Sequence, residues 1–174
     1  IEIGAVKIDT DGIEHYFQKL VTPLGPLSPK IESLTGITNK LLEEEGGPLK
    51  EALSSFLEFS ENAKIIAHNT QFDIPWLMTS MIRHQLSAPF KDIICTLIWA
   101  KNNKERGCSL GALTKRYGIQ HENAHRALAD AIATKELYLI FENKKTTPAP
   151  IAAFEEFRKN SEQFANRYQA YFQP

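Results

Sequence analysis

The chain opens on IEIGAVKI, an apolar run with the length and β-branched content of a buried strand. TDG follows as a turn signal, and IEHYFQKLV resumes with β-branched and aromatic residues. This pattern predicts a β-hairpin. Pro23, Gly25, Pro26 and Pro29 form a rigid connector, after which short helical pieces are expected at IESLTG and NKLLEEE. In PLKEALSSFLEFSEN, Leu49, Ala52, Leu53, Phe56 and Leu57 recur at helical spacing, which predicts a helix ending near Asn62. AKIIAH reads as a short apolar strand. FDIPWLMTSMIRHQL reads as a helix with Pro75 in its first turn, where the N–H it lacks has no helical partner. A strand at DIICT and helices at LIWAK, at LGALTKRYG closed by Gly118, and from about Arg126 to Phe141 complete the pattern. A hairpin followed by strands alternating with helices predicts an α/β layered domain with a mixed sheet, its active groups near strand ends.

Past this point the pattern changes. Residues 143–150, including KKTTPAP, read as a linker, so the globular domain is expected over 1–142. Residues 151–174 form a separate amphipathic helix in which Phe154, Phe157, Ser161, Phe164, Tyr168 and Tyr171 alternate by steps of three and four. Such a seam packs on its own domain or on a partner protein. Residue 1 is Ile and the first strand enters with no lead-in, so the expectation is a piece of a longer polypeptide.

Bulk properties narrow the function classes. A chain of 174 residues with 43% hydrophobic content builds one core, and a net charge of −1 gives no global positive field for coating long duplexes. Any nucleic-acid contact must be local. Cys95 and Cys108 carry no paired or zinc-ligand spacing, which fits a reducing, cytoplasmic setting, and no run of roughly 18 apolar residues exists to span a membrane.

Two stretches carry candidate chemistry: AHNTQFD with Asp73, and HRALADA with His125 five residues before Asp130. Two carboxylates that can hold a divalent metal and a histidine that can take a proton from water suit metal-assisted phosphodiester hydrolysis. Each residue also has a plainer reading. Asp73 opens a helix, where the macrodipole favours an acid. Phe72 and Asn69 at the strand exit suit a nucleotide terminus by stacking and hydrogen bonding, though Phe72 equally suits a core. Asp130 is expected mid-helix among Ala127, Leu128, Ala129, Ala131 and Ile132, where an acid needs a partner, either a metal or an Arg or Lys. His121 reads as a solvated loop residue, and His15 and His84 as surface histidines.

Taken together, AHNTQFD, HRALADA and IEIGAV resemble the DnaQ-like DEDDh exonuclease superfamily, the group that includes the proofreading epsilon subunit of bacterial replicative polymerases. AHNTQFD is similar to its second motif and HRALADA to its third, while IEIGAV is similar to the strand after its first. LTGIT, CTLIWA and SLGALTKRYGI extend the likeness to about Glu142. The resemblance implies a ribonuclease H-like mixed sheet flanked by helices. It also implies 3′ to 5′ release of nucleoside monophosphates with two divalent ions, Mg2+ or Mn2+, at the 3′ end of a single strand, DNA favoured over RNA. Carried across, Asp73 and Asp130 are metal ligands, His125 is the general base, and Asn69, Phe72, Thr35, Gly36 and Ile37 line the nucleotide site. A polymerase or other protein is the partner expected for the C-terminal helix.

One element of the family pattern falls before Ile1: the strand carrying an Asp and a Glu two residues apart. Glu2 belongs to the following strand. Two carboxylates set against the four charges of two ions imply weak metal binding by these residues alone. The alternative is a catalytically silent module that keeps the fold and binds nucleic acid or a protein.

Overall fold

The computed structural model describes residues 1–87, 90 and 92–144. The expected linker from 145 onward and the C-terminal amphipathic helix lie outside the described residues.

The opening hairpin forms as its pattern dictates. β1 (Glu2–Ile8) pairs antiparallel with β2 (Glu14–Leu20) in the register Glu2↔Leu20 to Ile8↔Glu14. The turn is held by the Asp9 carboxylate, which accepts the N–H groups of Asp11 and Ile13, and Gly12 supplies the positive φ of 80°. Because side chains alternate along a strand, Ile3 and Phe17 face one way while Glu2, Gly4 and Gln18 face the other. The first face packs on α3 (Leu49–Phe59) through Ala52, Leu53 and Phe56, with the Phe17 and Phe56 rings edge-on at 5.8 Å. The second face is covered by α7 (Ala127–Asn143).

Between β2 and α3 along the chain, α1 (Pro29–Thr35) starts on a Ser28 cap with Pro29 at its first position and stops at Gly36 in the left-handed conformation. α2 (Asn39–Glu45) starts on Thr38. After α3, β3 (Ile65–Ala67) leads into α4 (Thr70–Arg83), and β4 (Ile93–Cys95) into α5 (Thr96–Asn102). α6 (Leu110–Tyr117) is capped by Ser109 and closed by Gly118 at φ 66°. α4 begins two residues before Phe72, so Pro75 lies past the first turn; Asn69 at φ 69° and ψ 54° ends the strand abruptly and lets the helix start at once.

The strands form two small sheets. β3 and β4 pair in parallel, and among the described residues no backbone hydrogen bond joins them to the hairpin. Packing joins them instead. α7 contacts β1, β2 and β3, and one core holds Ile3, Phe17, Leu53, Leu77 and Met81 with Ile65 and Ile93 against it. A second core, Trp99, Ala100, Leu113, Leu137 and Phe141, locks α5 and α6 to α7. The result is an α/β layered fold with antiparallel and parallel pairing, as the element order predicts. No helix among the described residues is long and apolar enough to cross a membrane.

Candidate active site

The sheet's second face sets the position of α7. Glu2 is almost fully covered, with 3% of its side chain exposed. It accepts hydrogen bonds from Arg126 Nη2 at 2.8 Å, Gln18 Nε2 at 2.7 Å and the Ala127 N–H at 2.6 Å. Burial alone would raise its pKa, but these donors outweigh burial and hold the carboxyl below its usual range. An anion facing the first amide of α7 complements the helix dipole, so Glu2 seats the helix that carries Asp130. Gly4 completes the seat: a Cβ there would lie 2.2 Å from the Leu128 backbone nitrogen. Glu2 and Gly4 are therefore structural, in agreement with the reading that Glu2 is not a site acid.

Asp130 lies in the first turn of α7, not in mid-helix as the alanine-rich pattern predicts. The helix begins only at Ala127, and His125 sits outside it at φ 72°. An acid in a first turn is dipole-favoured, which removes much of the penalty expected for a mid-helix aspartate. The partner expected for Asp130 is a histidine: His121 Nε2 lies 2.7 Å from Oδ1, and the His125 backbone N–H donates to the same oxygen at 3.2 Å. His121 is thus no solvated loop residue; only 11% of its side chain is exposed. The His125 side chain makes no hydrogen bond among the described residues.

Asp73 stands in the first turn of α4, as expected, just past the end of β3. It reaches solvent, yet the protein around it and the negative charge of Asp130 push its pKa up to about 6; its own backbone N–H offsets only part of this. His68 lies in the same field. Burial lowers its pKa, opposed by a Cys108 backbone contact and by Asp130, and its Nδ1 lies 2.9 Å from Thr96 Oγ1. Residues from three strand or helix ends therefore sense one another at the mouth of the fold. Among the described residues neither Asp73 nor Asp130 is ion-paired to Lys or Arg.

Of the expected nucleotide-site residues, Asn69 and Phe72 flank Asp73, and Phe72 is 75% exposed, so it is not a core residue. Thr35, Gly36 and Ile37 close α1. The Thr35 hydroxyl donates to the Ile31 carbonyl and accepts the Ile37 N–H. Ile37 is buried to 1% exposure, which leaves Gly36 and the half-buried Thr35 for any ligand contact. No hydrogen bond among the described residues ties this segment to Asp73 or Asp130.

Asp73, whose proton affinity is raised by burial and by the charge of Asp130, and Asp130 itself offer carboxylate oxygens of the kind a hard divalent cation takes. They fit one such ion in part. Among the described residues no three His, Cys, Asp or Glu side chains gather closely enough to form a full ligand shell, so a second ion has no donors here.

Comparison with known proteins agrees with this arrangement. Residues 1–138 match the family profile RNase_T, described as Exonuclease. Over 145 residues the chain is 37% identical to the DNA polymerase III PolC-type of Streptococcus thermophilus, a match that covers 81% of this chain and 10% of that protein. The chain thus spans about a tenth of the length of the curated relatives it matches. The fold is shared with a 3′-exonuclease that recognises the histone mRNA stem-loop, at TM-score 0.72 and 18% identity over 86% of this chain and 74% of that one. It is shared also with the nuclease domain of 3′hExo, a DEDDh family member bound to rAMP, at TM-score 0.68 and 16% identity over 86% of this chain and 84% of that one. On the profile match over most of its length and the identity to the PolC-type proteins, the chain belongs to the exonuclease family, within the DnaQ-like superfamily.

Proposed function

We propose that these residues are the exonuclease domain of an enzyme that removes nucleoside monophosphates from the 3′ end of a single strand. The observation that carries this is that the charge of Asp130 at the start of α7 reaches Asp73 at the start of α4, with neither acid ion-paired to Lys or Arg among the described residues, in a chain of the exonuclease family. Asp73 and Asp130 would supply part of the shell of one divalent cation, Mg2+ or Mn2+, which when bound would lower the pKa of water and offset phosphate charge. His125, exposed at the entry to α7 with its ring unengaged, takes the proton from water; imidazole is suited to this near neutrality. Phe72 stacks on the terminal base, Asn69 bonds its sugar, and the Thr35 to Ile37 segment borders it.

DNA is the favoured substrate because the relatives at 34 to 37% identity are DNA polymerases. The same likeness supports a polymerase as the setting and the cytoplasm as the place of action, with the amphipathic pattern of residues 151–174 suited to a protein contact. The test is digestion of 3′-labelled and 5′-labelled single strands, DNA and RNA side by side, by the complete protein with and without chelator. Mononucleotide release from the 3′ end, abolished by chelator, is expected. Binding without cleavage would instead assign a silent module.

A further inference from the structure

Asp130 has two carboxylate oxygens in different circumstances. Oδ1 receives His121 Nε2 at 2.7 Å and the His125 backbone N–H at 3.2 Å, whereas Oδ2 has no protein donor among the described residues. An ionised carboxylate has no proton to give, so His121 must be the donor, with its hydrogen on Nε2. The ring is well covered, at 11% exposure, while 38% of the Asp130 side chain remains open. A well-covered donor on one oxygen and an unbonded second oxygen on a part-exposed side chain is the arrangement by which an outer residue aims a ligating carboxylate. His121 comes from the loop between α6 and α7, so nothing in α7 itself supplies this bond.

We infer that His121 is a positioning residue that fixes the rotation of Asp130 and presents Oδ2 to a divalent cation. This rests on Asp130 being a metal ligand, as proposed above. In this role His121 acts through Asp130. Losing it would free the carboxylate to rotate and would weaken cation binding more than nucleic-acid binding.

The test uses the complete protein with His121→Ala and His121→Gln, the latter keeping an N–H donor at a similar reach. Mn2+ binding is measured from the electron paramagnetic resonance signal of the free ion, alongside the KM for a labelled single strand and the thermal midpoint without metal. His121→Ala is expected to weaken Mn2+ binding about tenfold, with His121→Gln within about threefold of wild type and KM little changed. A purely structural role would lower the thermal midpoint and leave Mn2+ binding alone, which overturns the inference. So would a glutamine variant no better than alanine. If the alanine variant does not fold, His121→Asn, which shortens the donor's reach, takes its place in the comparison. Failure of the wild-type protein to bind Mn2+ at millimolar concentration would overturn the metal-ligand role of Asp130 itself, and it is told apart by appearing before any substitution.

Discussion

Replacing Gly4 with alanine would put a methyl carbon 2.2 Å from the Leu128 nitrogen, 2.4 Å from the Ala127 carbonyl carbon and 2.7 Å from the Leu128 Cα. Ordinary contact begins at 3.4 Å, so α7 must move off β1 by roughly 1 Å, and these obstacles are backbone atoms that cannot rotate away. Overpacking of this kind costs about 1–3 kcal/mol. Moving α7 also stretches the 2.6 Å bond from the Ala127 N–H to Glu2 and the neighbouring Arg126 contacts. Alanine returns about 0.5–1 kcal/mol through lower chain entropy in the unfolded state. The net expectation is a loss of about 2 kcal/mol, with the protein still folded but its cleavage rate reduced, since Asp130 rides on the displaced helix. Urea unfolding followed by tryptophan fluorescence and by circular dichroism measures the first effect. A change under about 0.5 kcal/mol at an unchanged slope would refute the reasoning.

Asp73 gives a pH signature. Its folded pKa, about 6, lies above the unfolded value near 3.9, so the native state binds the extra proton between those limits and stability falls as pH rises from about 4 through 6 without cations. Because the carboxyl reaches solvent, the effect is held to about 1 kcal/mol. In chelator, Asp73→Asn should remove that slope and unfold at higher urea at pH 7.5; equal pH slopes in both proteins would contradict the burial argument. Asp130→Ala in the complete protein should remove most of the cleavage rate, and His125→Ala should lower it with Mn2+ still bound. Digestion at wild-type speed by the His125 variant would remove that residue from the mechanism. Phe72→Ala, at a side chain 75% exposed, should leave the unfolding midpoint within about 0.5 kcal/mol and raise KM; an unchanged KM would return Phe72 to the ordinary surface.

Much of this fold is written in short-range patterns. The hairpin and the Gly118 stop are local chemistry found where the pattern predicts them, and the Ser28, Thr38 and Ser109 caps and the Gly36 stop, which the pattern reading did not single out, are local chemistry too. What escaped local reading was set across distance. The start of α7 is legible in HRALADA to within a residue, but what holds it is not: the Glu2 carboxylate, 125 residues away, accepts from its first amide. Asp130, expected mid-helix, lies only four residues into that helix and so in its first turn. Nothing in QHENAH marks His121 as different from a loop histidine; only the folding of that loop onto α7 brings its ring to Asp130.

The clasp between Glu2 and the start of α7 also bears on the order in which the chain assembles. It joins residues 124 and 125 positions apart, so almost the whole described chain is looped out between its halves. Closing so long a loop is slow, and its entropy must be met before the contact stabilises anything. On a ribosome the hairpin emerges before α7 and waits, its Glu2 carboxylate still wet, until α7 arrives. Asp130 therefore comes to its neighbours at the end of folding, and a half-made chain holds no assembled cleft.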